Sequence, residues 1–84
     1  MNNKFILESL ASDLKRVSLG LHRGSNAMAL RFLNEALKRK NEVDLEIVAP
    51  YIKQILARLN KNIDAENALM FSTLIQNYTL RKLQ

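Results

Sequence analysis

Enzyme chemistry needs a nucleophile, a base or a set of metal ligands, and this sequence offers few of the side chains that supply them. It holds one histidine, His22, and no cysteine. Thiolate zinc sites and disulfides are thereby excluded, and so is any site built on two histidines. No helical Glu-x-x-His or His-Glu-x-x-His pair occurs, and no Gly-rich phosphate loop. The neighbouring carboxylates, Asp44 with Glu46 and Asp64 with Glu66, are spaced i, i+2. Such positions on a helix point apart, so neither pair makes an acid–base dyad. A nucleophile–base–orienter set would have to recruit His22, which falls at the edge of an apolar stripe and reads as a partly buried packing residue. The expectation is a non-enzymatic chain without metal or cofactor.

Charge suggests a partner more readily than a reaction. The formal net charge is +5, and the whole excess lies in the first half. Residues 1–40 hold eight Lys and Arg against Glu8, Asp13 and Glu35, whereas residues 41–84 hold five of each sign. Arg16, Arg23, Arg31, Lys38, Arg39 and Lys40 are therefore the candidate contacts to a polyanion, nucleic acid among them. Much of this placement also complements helix dipoles, with basic residues at helix ends and Asp44, Glu46, Asp64 and Glu66 at helix starts. The five aromatics are scattered at helical spacing and read mostly as core, not as a base-stacking platform. A helix-turn-helix around Gly24 fits poorly, because the next helix opens on Ala27-Met28-Ala29-Leu30 where a DNA reader needs exposed polar side chains. The same turn, with His22, Arg23 and Ser25 beside backbone N–H groups, is a generic anion site.

The elements that must position these residues are helices. Two glycines and one proline leave little to interrupt them. Leu7, Leu10, Leu14, Val17 and Leu21 repeat at spacings of 3, 4, 3, 4, the seam of a helix packed along another helix. Leu45, Val48, Ile52, Ile55 and Leu59 do the same. The patterns predict an all-α single domain over residues 1–84. It is read as a four-helix antiparallel (up-down) bundle or two helical hairpins, with helices at about 3–22, 26–41, 45–60 and 64–83. Gly20 and Gly24 place the end of the first helix. Pro50 is tolerated only near a helix start, so the third begins, or bends, near Glu46. Met28, Ala29, Leu30, Phe32, Leu33, Ala36 and Leu37 give the second helix the widest apolar arc, so it is expected to be the most buried. The fourth is expected to bury Ala68, Met70, Phe71, Leu74, Ile75 and Tyr78.

Some apolar residues fall off these faces. They are Phe5 and Leu19, then Ile47 and Tyr51 on one side of the third helix, then Leu69, Leu80 and Leu83 on the far side of the fourth. Singly they mean little; together they predict a second contact surface. The reading is a small interaction or regulatory protein, a homodimer paired through its second and fourth helices, that binds another macromolecule. Met28, Phe32, Leu69, Leu80, Leu83, Ile47 and Tyr51 are its candidate interface. The alternative is a nucleic-acid-binding accessory protein using the basic first half. No apolar run is long enough to span a membrane and the N-terminus lacks a signal-peptide core, so the cytoplasm is the expected compartment.

Overall fold

The computed structural model describes residues 2–82, with side chains through Arg81. It is an all-α bundle of four helices, α1 (Asn3–His22), α2 (Asn26–Lys40), α3 (Pro50–Arg58) and α4 (Ala65–Lys82), with a 3₁₀ turn at Leu45–Ile47. Among the described residues there is no strand, and no helix is long and apolar enough to cross a membrane.

α1 begins where Asn2 leaves the helix in extended conformation and its Oδ1 accepts from the Lys4 N–H at 2.7 Å, which satisfies a donor that has no intrahelical partner. It ends in a Schellman turn. Ser25 N donates to the Gly20 carbonyl at 2.8 Å and Gly24 N to that of Leu21 at 3.2 Å. Gly24 sits at φ +73°, a conformation that a side chain would strain.

The apolar seam of α1 goes fully inward, with Ile6, Leu7, Leu10, Leu14 and Val17 buried. Burial extends well around the helix because α1 has a neighbour on each side. Along one side, Gly20 meets Ala29 while Asp13 meets Arg39, so α2 runs antiparallel to it. Along the other, Ser18 Oγ donates to the Ala65 carbonyl at 2.8 Å and Ser72 Oγ to that of Ala11 at 2.6 Å, so α4 is antiparallel too. α1, and not the second helix, is thus the most buried. α2 buries only Ala29, Leu33 and Ala36, because α1 covers one side of it and Leu30 is left in solvent.

α3 is shorter than the periodicity predicts. Pro50 is its first residue, and Ala49 before it is extended, as the residue preceding a proline tends to be. Residues 45–47 therefore close a separate turn, and Leu45 is exposed while Val48, Ile52, Ile55, Leu56 and Leu59 fill the core. The α2–α3 connection is tied to the rest by polar groups. The buried Asn3 side chain donates to the Asp44 carbonyl and accepts from the Asp44 N–H, at 3.1 and 2.9 Å. Tyr78 Oη accepts from Ala49 N at 3.2 Å, and Lys40 Nζ donates to the Leu59 carbonyl at 3.3 Å.

Asp64 caps α4, accepting from the Asn67 N–H at 2.7 Å. The buried arc of this helix is Ala68, Phe71, Ser72, Ile75, Tyr78 and Thr79. Met70 and Leu74, expected in the core, are 45% and 39% exposed. Ser72 and Thr79 take the inner positions instead. α4 lies close enough to α1 for hydroxyl-to-carbonyl bonds, and small side chains with satisfied hydroxyls suit that distance better than Met or Leu.

A Cβ added at Gly20 would stand 2.9 Å from Ala29 N and 3.2 Å from Ala29 Cβ, and backbone cannot swing aside as a flexible side chain can. Gly20→Ala is expected to destabilise the fold by about 1–3 kcal/mol, although alanine is favoured over glycine in an exposed helix by about 1 kcal/mol. Urea unfolding of the variant measures the difference; a stabilised protein would show that the α1–α2 approach is not tight.

Candidate functional site

Two surface regions combine side chains from more than one element. The first is the outer face of α4. At about 100° per residue, Glu66, Leu69, Met70, Thr73, Leu74, Asn77, Leu80 and Arg81 share the side opposite the buried arc, and all are exposed. From Asn67 through Leu80 the helix carries no charged residue, in a chain of which 25% is Asp, Glu, Lys and Arg. The other helices break their exposed faces with charge: Glu8, Lys15 and Arg16 on α1, Arg31 and Lys38 on α2, Lys53 and Arg58 on α3. Within the α4 face, Thr73 and Asn77 run down the middle. Leu69 and Leu80 form the rim toward α1, where Leu80 lines a groove with Ala11, Ser12 and Lys15. Met70 and Leu74 form the rim toward α3, where Leu74 shares a depression with Tyr51 and Arg81. Tyr51 is fixed there by an edge-to-face contact with Tyr78, 5.8 Å between centroids at 88°.

The second region is the groove between α1 and α2. Phe32, half-buried, has two guanidinium groups over its ring, Arg16 at 5.4 Å and Arg31 at 5.8 Å from the centroid. Attraction to the ring quadrupole favours each of these contacts. Among the described residues neither has a carboxylate within ion-pair distance; Arg16 also donates to Ser12 Oγ. Further along, Phe5, Glu8, Ser9, Ser12, Asp13, Arg16 and Arg39 line an open cavity of about 380 Å³. There Arg39 Nε pairs with Asp13 Oδ2 at 2.9 Å.

Of the basic candidates, Arg16 and Arg39 thus line one cavity, and Arg31 shares the Phe32 ring with Arg16. Arg23 is the exposed C-cap of α1, Lys38 faces Glu35 at 3.8 Å, and Lys40 is held by the Leu59 carbonyl. Of the interface candidates, Leu69, Leu80 and Tyr51 are exposed around α4, whereas Met28 and Phe32 lie half-buried on the side of α2 toward α1. Ile47 is 64% exposed but sits in the 3₁₀ turn, so it does not share a helical face with Tyr51. Leu83 lies outside the described residues. Met70 and Leu74 were missed as surface residues; the absence of charge across 67–80 was the signal that could have found them. His22, expected to be partly buried, is exposed at the end of α1. Among the described residues no three His, Asp or Glu side chains gather where they could hold a metal ion.

No protein-family model, no curated protein and no solved structure matches the chain.

Asp13 is a carboxyl whose affinity for protons is altered by its surroundings. Burial raises its pKa, outweighing the hydrogen bond and charge of Arg39, which lower it. The folded state therefore binds this proton more tightly than the unfolded chain does. Its effect on stability is most favourable below the ordinary aspartate pKa and is lost as pH rises through the raised value. Asp13→Asn removes the titration and keeps an acceptor for Arg39. The stability of the variant relative to wild type is expected to improve between about pH 4 and neutrality, measured by urea unfolding at each pH. A relative stability that is flat or worsens over that range would contradict it.

Proposed function

We propose that this chain is a small non-enzymatic interaction protein that works as a homodimer, paired through the outer face of α4. The observation that carries the reading is the uncharged stretch from Asn67 through Leu80 with Leu69, Met70, Leu74 and Leu80 exposed on it. Centres of protein interfaces are depleted in charge and hold apolar side chains around a few polar ones, which describes this face. The chain does not need a partner to complete its core. It exposes 5441 Å², close to the about 5,100 Å² expected of a folded monomer of this length. Pairing would be an added function of the surface.

A second reading, binding to a nucleic-acid backbone, is favoured by Arg16 and Arg31 around Phe32. Guanidinium groups that have no carboxylate within ion-pair distance among the described residues suit contact with a phosphodiester.

Sedimentation equilibrium at micromolar concentration tests the first reading. The expected result is a dimer that becomes a monomer in Met70→Lys, with unchanged circular dichroism, because Met70 is exposed and its replacement leaves the core intact. A wild-type monomer would overturn it. For the second, a labelled single-stranded RNA is expected to bind at about 50 mM salt, weaken steeply as salt rises, and lose roughly tenfold in affinity in the Arg16→Ala/Arg31→Ala protein. Absence of binding at low salt removes that reading.

A further inference from the structure

The ends of the uncharged face of α4 carry opposite charges, and this fixes how two copies would meet. Glu66 is in the first turn and Arg81 in the last; both are exposed on the same side as Thr73 and Asn77. They are separated by about 22 Å along the helix, at 1.5 Å per residue. The midpoint between them falls at Thr73 and Leu74, the centre of the uncharged stretch. Two copies related by a two-fold axis perpendicular to this helix run antiparallel, and Glu66 of each then comes opposite Arg81 of the other. A two-fold axis along the helices would make them parallel, with Glu66 against Glu66 and Arg81 against Arg81.

Resting on the homodimer reading above, we propose that the partner of the α4 face is a second copy in antiparallel register. The axis passes near Thr73 and Leu74, and two symmetric Glu66–Arg81 contacts close the ends. Three features agree on this register. The charges are complementary only when the helices run in opposite directions. The antiparallel sense sets the N-terminus of one helix dipole beside the C-terminus of the other. The small Thr73 at the crossing lets the helix axes approach, with Met70 and Leu74 of one copy set toward those of the other. Because the contact is isologous, each copy contributes the same patch and the assembly stops at two. Tyr51 on α3 extends the apolar contact on one side, and Leu80 borders the groove toward α1 on the other. The α1–α2 groove with Arg16 and Arg31 lies on the side of α1 away from α4 and is left open.

Charge reversal tests the register without touching the core. Glu66→Arg sets a second guanidinium against Arg81 of its twin, and Arg81→Glu sets a second carboxylate against Glu66. Each variant alone is expected to dimerise more weakly than wild type, on the order of tenfold at low salt. The double variant Glu66→Arg/Arg81→Glu is expected to recover a dimer of near wild-type strength, since both end contacts are attractive again. Glu66→Arg mixed with wild type is expected to pair less well than wild type does with itself, because one of the two end contacts has become repulsive. Light scattering after size exclusion reads all of these. If that mixed pair is instead tighter than the wild-type dimer, the helices are parallel and the register is overturned. If wild type dimerises but neither reversal matters, the register is likewise overturned while the homodimer stands. If wild type is a monomer under the same conditions, the homodimer reading itself fails.

Discussion

The backbone of α1 lies close to a helix on each side, and the rest of the molecule follows from that. On the α2 side the approach is permitted by the absence of a side chain at Gly20, over which Ala29 sits. On the α4 side it is marked by Ser18 and Ser72, each of which donates to a carbonyl of the opposite helix. A hydroxyl bound to a backbone carbonyl tolerates burial and takes up little room, so serine serves where a larger apolar residue would hold the helices apart. With both flanks of α1 occupied, the leucines between them have one direction left. Leu7, Leu10 and Leu14 point there and meet Ile52, Leu56 and Ile75 in a single cluster.

This geometry explains which surfaces are left apolar. α2 and α4 each touch α1 along one edge, so each keeps a broad outer face. α2 dresses its own with Arg31 and Lys38. α4 does not, and its outer face holds leucine and methionine around threonine and asparagine. α3, short because Pro50 starts it late, brings Tyr51 alongside that face through its contact with Tyr78. The two outer faces therefore differ: that of α2 carries charge and that of α4 carries none from Asn67 through Leu80.

Much of the fold was legible from residue order. The end of α1 and the start of α2 followed from Gly20 and Gly24, and Asp64 caps α4 as its position suggested; Asp44, expected at the start of the third helix, caps the 3₁₀ turn instead. The α3 start was misplaced because Leu45 and Val48 continue the apolar spacing of that helix across a proline that interrupts its hydrogen bonding. Met70 and Leu74 were misassigned for a related reason. Hydrophobicity favours leucine over serine for the interior, but a close helix–helix contact reverses that preference when the hydroxyl finds a carbonyl. That Arg16 and Arg39 line one cavity was not legible, since it depends on where Asp13 sits and on the length of the arginine side chain.

Residue order by itself settled the class of structure and the number of helices, and it left no cysteine and only one histidine from which to build a site. These follow from local rules: periodicity at about 3.6 residues per turn, capping and turn preferences, and the simple count of reactive side chains. Tertiary structure decided which helix is central, that Gly20 is a contact point within α1 and more than a terminator, and which side of α4 turns outward. A periodic pattern shows which residues share a face. Only the placement of neighbouring helices, set by how closely their backbones can approach, decides which face is covered.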